Sequence, residues 1–321
     1  MYKYAIGEPT NLKEHFAICK PLADKGNLDA MNDLGVMYAN GFGDDRRDTD
    51  WVKWLYDPAY EGHSIAQYNL GLVNIDCRWG FPPELEENPK KCFLKAAVKK
   101  LAEAQLVMGI LYDRGLGVFK DHESAIYWYE MAVKQGLALA ELYLGQVYME
   151  MMRWHLARKW FKSAADKGIA SAQNNLAELY YFGRGVKKNV KKAVKLLELA
   201  SKQELPMAKI NLGLIYIQEK EMGVDSQQAL NLVLSVQNRE EVRHIVEFGL
   251  GMICEIGLEG DPDYERAADH YCRAFTSCDR TGWQAIRSDC RFGLFHDVAR
   301  FFMIRLKSKL RDQSEDCELR R

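Results

Sequence analysis

Histidine, cysteine and carboxylate side chains could support metal binding or acid–base and nucleophilic chemistry, but their spacing in this chain matches none of the patterns those chemistries use. His270, Cys272, Cys278, Cys290 and His296 come nearest to a ligand cluster. No zinc-site spacing relates them, and neither an HExxH helix nor a GxSxG elbow occurs. No catalytic, cofactor-binding or metal-binding residue is therefore assigned, and the chain is not expected to be an enzyme. Gly-x-Gly pairs at 41/43, 115/117 and 183/185 might suggest phosphate loops. None extends to GxGxxG or GK[ST], and all join helix to helix, so they read as helix terminators. The basic run Lys187, Lys188, Lys191, Lys192 and Lys195 reads as the solvated outer face of a helix, with a docking patch for an acidic partner as the alternative.

Eight cysteines, at 19, 77, 92, 254, 272, 278, 290 and 317, form no CxxC and follow no regular interval. Reduced, buried thiols are expected, and with them a cytoplasmic location, since residues 1–12 carry no apolar signal-peptide core. With 48% hydrophobic and 28% charged residues the chain reads as folded, without the length of apolar sequence that membrane insertion needs. A formal net charge of −1 gives no global attraction to nucleic acid.

The elements that would position any site announce themselves by repetition. A Leu-Gly pair or close variant recurs seven times, at Leu34-Gly35, Leu70-Gly71, Met108-Gly109, Leu144-Gly145, Leu176-Ala177, Leu212-Gly213 and Leu250-Gly251. An interval near 36 over most of the chain means stacked supersecondary units and not one globular core. In the clearest copy, residues 100–136, Ala104, Met108, Leu111 and Tyr112 recur at helical spacing. Gly115 and Gly117 end that helix, Asp121 is placed to cap a second, and Ala125, Trp128, Tyr129 and Ala132 form the apolar stripe of that second helix. Small residues at Ala104 and Gly109 should let the two helices approach closely. The second copy has a longer loop and restarts at Asn88-Pro89, the fourth joins its helices through residues 151–155 without the glycine loop, and the sixth is weak after Tyr216.

The pattern Ala-x3-Leu-Gly-x2-Tyr-x2-Gly-x-Gly-Val, followed by Asp-x3-Ala-x2-Trp-Tyr-x2-Ala, resembles the Sel-one-like repeat family, relatives of tetratricopeptide repeats with a longer glycine-containing loop. The resemblance implies an all-α, right-handed α-solenoid of about seven helix–loop–helix units. It divides the chain into an N-terminal half-repeat or cap helix over 1–25, the repeat solenoid over 26–278, and C-terminal capping helices with a polar tail over 279–321. It also implies a non-catalytic scaffold or adaptor that binds a partner protein or peptide along the concave face made by the first helices.

By analogy with tetratricopeptide relatives, the partner-facing positions are Asn32, Val36 and Asn40 in the first unit, and Tyr68 and Asp76 in the second. The third contributes Leu106, Ile110, Asp113 and Arg114, and the fourth Gln146 and Glu150. Asn174, Glu178 and Tyr181 come from the fifth, and Ile210 and Gln218 from the sixth. Asp76, Asp113, Glu150 and Glu178 outnumber the one Arg, so a basic or amphipathic peptide is the expected partner. These carboxylates are expected to lie off the apolar stripe, where charge reversal would leave the core intact. Two alternatives are disfavoured. A cysteine-rich, β-lactam-hydrolysing branch of the family carries a disulfide in every unit, and the cysteines here have no such interval. An RNA-binding helical repeat needs a basic groove.

Overall fold

The computed structural model describes residues 12–40, 50–76, 88–219, 226–236, 238–239, 243–256 and 263–276. These form fifteen α-helices and no strand among the described residues. In order they are α1 (Leu12–Ala23), α2 (Leu28–Ala39), α3 (Asp50–Tyr60), α4 (Ser64–Asp76) and α5 (Pro89–Val98). Next come α6 (Ala102–Arg114), α7 (His122–Lys134), α8 (Ala138–Glu150), α9 (Trp154–Asp166) and α10 (Ala170–Phe182). The series ends with α11 (Val190–Lys202), α12 (Pro206–Gln218), α13 (Ser226–Leu234), α14 (Arg243–Ile256) and α15 (Tyr264–Thr276). The chain divides into two compact units, 1–147 and 148–321, the division falling inside α8. None of the described helices is long and apolar enough to cross a membrane.

Within each unit the repeats are helix hairpins. Helix α2 packs on α3, α4 on α5 and α6 on α7 in the first unit; α10 packs on α11, α12 on α13 and α14 on α15 in the second. First helices also meet one another, α2 with α4, and α10 with α12 and α12 with α14. A first helix is thus covered on several sides, and α6 buries Ala104, Gln105, Leu106, Met108, Gly109, Leu111 and Asp113 all round its circumference. The second helix α11 buries only the stripe Ala193, Val194, Leu197 and Ala200 and leaves Lys191, Lys192 and Lys195 exposed.

The Leu-Gly glycines lie against the second helix of their own hairpin. A Cβ on Gly109 would come 2.4 Å from the Tyr129 ring, on Gly71 2.8 Å from Phe93, and on Gly35 2.6 Å from Leu55. The loop glycines end helices as their spacing indicated, Gly115 and Gly183 capping α6 and α10 in the left-handed conformation at φ 70° and 71°. Gly41 and Gly43 lie outside the described residues. Asp121 caps α7 by accepting from the Glu123 and Ser124 amides, and Asn88 caps α5 ahead of Pro89. The weak sixth copy does form its second helix, α13. Cys19, Cys92 and Cys254 are not disulfide-bonded; the other five cysteines lie where side chains are not described.

A recurrent amide joins one hairpin to the next. Gln67, Gln105 and Gln173, each in the first turn of a first helix, donate to the Ala59, Ala97 and Ala165 carbonyls at 3.0, 3.0 and 3.4 Å. Those carbonyls belong to the last turn of the preceding helix and also accept the Gly62, Lys100 and Gly168 amides, so each glutamine supplies a second bond. Gln135 and Gln203 in turn donate to Gln105 and Gln173 at 2.7 and 3.0 Å. Replacing Gln105 with Leu removes the second bond to the Ala97 carbonyl and the bond from Gln135, and a loss of about 0.5–1.5 kcal/mol is expected in urea denaturation. A variant as stable as the wild type would show that the bonds contribute nothing net.

Candidate functional site

The first-helix face of the second unit is where the anticipated positions converge. Asn174, Glu178 and Tyr181 stand four and three residues apart on α10, so one helical face presents all three. Gln218 projects beside them from α12, and together they line a pocket of about 40 Å³. That holds about three waters or the end of one side chain, at roughly 10–15 Å³ per water. Leu214 and Ile215 of α12, and Phe248 and Met252 of α14, supply an apolar wall.

The polar groups are tied together across the two repeats. Asn211 of α12 donates to Asn174 Oδ1 at 2.9 Å, and Tyr181 donates its hydroxyl proton to Gln218 Oε1 at 2.6 Å. Burial, and then the negative charge of Glu219, push the Tyr181 phenol up to about 12, so it stays a proton donor at neutral pH. Glu178 is 5% exposed and accepts from Arg184 Nη1 at 3.1 Å through Oε1. Its other oxygen, Oε2, is buried with no hydrogen-bond partner among the described residues. Burial pushes the Glu178 carboxyl up to about 8 despite the opposing Arg184 charge. Around the mouth, the Arg184 guanidinium lies 5.2 Å from the Trp154 ring centre and 5.0 Å from that of Phe182, and the Lys188 ammonium 5.2 Å from that of Tyr181.

The remaining anticipated positions are placed differently. Val36, Leu106 and Ile210 are buried core residues, and Tyr68 is buried edge-on against Phe93 at 5.8 Å. Asn32 is buried and accepts from Asn69 at 2.9 Å, the counterpart in the first unit of the Asn174–Asn211 bond. Asn40 ends α2 and donates to the Val36 carbonyl at 2.8 Å. Ile110, Gln146 and Glu150 are half-buried, Arg114 is exposed, and the Asp76 side chain lies outside the described residues. The expectation that the carboxylates lie off the apolar stripe fails for Asp113, 1% exposed and 3.7 Å from His122, as well as for Glu178. First helices are enclosed by neighbours on several sides and have no wholly solvent-facing stripe. Reversing these charges would therefore disturb the fold.

Arg184 and Asn211 escaped the sequence reading, and each left a trace there. Arg184 is the middle residue of a Gly-x-Gly loop whose glycines drew the attention, and Asn211 stands 37 residues after Asn174 just as Asn69 stands 37 after Asn32.

Comparison with known proteins gives this architecture its kinship. Residues 28–50, 102–137, 155–169, 170–205 and 245–276 match the Sel1 repeat. The fission yeast chitin synthase regulatory factor 3 (Schizosaccharomyces pombe) is 29% identical over 208 residues, 61% of this chain and 22% of its own length. The ERAD-associated E3 ubiquitin-protein ligase component HRD3B of Arabidopsis thaliana is 37% identical over 87 residues, 27% of this chain and 14% of its own. The chain spans about half or less of the length of the curated relatives it matches. Among solved structures, a Sel1 repeat protein from Oxalobacter formigenes is similar with a TM-score of 0.55, covering 64% of this chain and 85% of its own. Identity of 32% with that protein, added to the five matching segments, shows that the chain belongs to the Sel1 repeat family.

Proposed function

We propose that the chain is a non-catalytic adaptor that holds an extended segment of another protein along the first-helix face of its second unit. The observation that carries this reading is the convergence of Asn174, Glu178, Tyr181 and Gln218, from two successive repeats, around one pocket with an apolar wall. Two relatives are named for acting with other proteins, one as a regulatory factor of chitin synthase and one as a ligase component, which is consistent with an adaptor.

The partner chemistry follows from the groups in place. Because Glu178 is buried and paired with Arg184, it offers little free negative charge to select a basic peptide. An apolar side chain fits the wall of Phe248 and Met252, while the exposed Gln218 amide and the half-buried Tyr181 phenol can meet the peptide backbone beside it. Peptides selected by display against the purified chain should bind with an affinity that falls roughly 30-fold or more in Tyr181→Ala/Gln218→Ala, the size expected for a buried aromatic anchor. Lys191→Glu/Lys195→Glu, on the exposed side of α11, should leave affinity unchanged. The opposite pattern would assign binding to the outer basic face.

A further inference from the structure

A second cluster, in the first unit and far in sequence from that pocket, gathers three different ligand chemistries. His15 and Cys19 stand four residues apart on α1, which puts both on one helix face, and Asp33 faces them from α2. Ligand atoms of the three lie within 4.8 Å of one another. Cys19 Sγ is 3.5 Å from His15 Nε2, and Asp33 Oδ2 is 3.4 Å from the same nitrogen.

A single ring nitrogen offers one hydrogen-bonding role to two neighbours. A neutral imidazole nitrogen carries either a proton or a lone pair. If Nε2 donates to Asp33 it cannot also accept from Cys19, and the reverse holds equally. The carboxylate contact is also long beside the roughly 2.7–2.9 Å of a charge-assisted bond. A proton relay from thiol to carboxylate would use both ring nitrogens, whereas here one nitrogen faces both groups. The sulfur–nitrogen and nitrogen–oxygen distances do fit two edges of a tetrahedron around a metal ion. Zinc bonds of about 2.3 Å to sulfur and about 2.0–2.2 Å to nitrogen and oxygen give a sulfur–nitrogen edge of about 3.6 Å and a nitrogen–oxygen edge of about 3.4 Å.

The surroundings support the same reading. Asp33 Oδ1 accepts from Asn32 at 3.1 Å, and Asn32 accepts from Asn69 at 2.9 Å, a chain of amides that fixes the carboxylate and leaves Oδ2 facing the cluster. His15 and Asp33 keep 32% and 23% of their side-chain surface exposed, which leaves an entry path and room for water as a fourth ligand.

We infer that His15, Cys19 and Asp33 form a binding site for a zinc-class divalent transition metal ion. The mixed imidazole, thiolate and carboxylate set disfavours magnesium and calcium, which take oxygen ligands.

Cobalt(II) provides the probe, because a thiolate ligand gives it a near-ultraviolet charge-transfer band and tetrahedral geometry gives strong visible bands. The full chain, stripped with chelator and titrated with cobalt, should show both bands at one ion per chain, and zinc should bleach them. Cys19→Ser should abolish the charge-transfer band, and His15→Gln and Asp33→Asn should each weaken binding at least tenfold. Asn32→Ala, which loosens Asp33 without removing a ligand, should weaken binding by roughly 10–100-fold. Circular dichroism checks that each variant is folded, and Cys92→Ser should retain the spectrum. Folded wild-type chain without the charge-transfer band would overturn the inference, as would a band that survives in both Cys19→Ser and His15→Gln.

Discussion

A Gly109→Leu variant is expected to unfold at clearly lower denaturant than the wild type, with a loss of about 1–3 kcal/mol or more from overpacking. Relief of glycine's backbone entropy returns at most about 1 kcal/mol. The steric case is specific, since a Cβ alone at this position would stand 2.4 Å from two Tyr129 ring atoms. Tyr129 has nowhere to retreat, being 0% exposed and stacked on Tyr143 with ring centres 5.7 Å apart. Adding Tyr129→Ala, which alone should cost about 3–5 kcal/mol, makes room for the new side chain. The double variant should then be more stable than the sum of the two losses allows. Strict additivity would show that Gly109 and Tyr129 do not oppose each other.

Glu178 gives the second large effect, read through pH. Its carboxyl is raised by burial from an ordinary 4.5 to about 8, so between those values the folded chain holds a proton that the unfolded chain has released. Stability falls with pH wherever the folded state binds more protons. The contribution is fully present below about pH 4.5 and is lost as pH rises toward 8. At about 1.4 kcal/mol per pKa unit the swing is on the order of a few kcal/mol. Urea midpoints of the wild type and Glu178→Gln, measured at pH 5 and pH 8, should therefore diverge, the variant gaining on the wild type at the higher pH. Arg184→Met removes the one opposing charge and should steepen the decline in a chain that keeps Glu178. Parallel pH profiles for wild type and Glu178→Gln would show that Glu178 ionises normally.

The repeat was legible because its cause is local and recurrent. Gly35, Gly71 and Gly109 each lie against a bulky side chain of the next helix, so the same small residue returns at the same interval. Caps such as Asp121 and Asn88 were legible for the same reason, since one side chain satisfies nearby amides. The candidate pocket was legible in part. Asn174, Glu178, Tyr181 and Gln218 were reached through register within the repeat, whereas Phe248 and Met252 reach it from a later repeat, and nothing in their own segment marks them. Burial was misjudged because a single-helix pattern separates an apolar stripe from a polar one, and a first helix is covered on more sides than one. Val36 and Asp113 are accordingly core positions despite their different chemistry. The His15, Cys19 and Asp33 cluster follows no standard ligand spacing, because its third member comes from the neighbouring helix.

Site-specific photo-crosslinking in the cell of origin tests the binding face most directly. A photoreactive amino acid placed at Gln218, exposed at the pocket, should trap a partner as an adduct of discrete mass. Placed at Lys195, exposed on α11, it should not. Tyr181→Ala should remove the Gln218 adduct. A discrete adduct from Lys195 and none from Gln218 would contradict the account and put the partner on the outer face of the repeat.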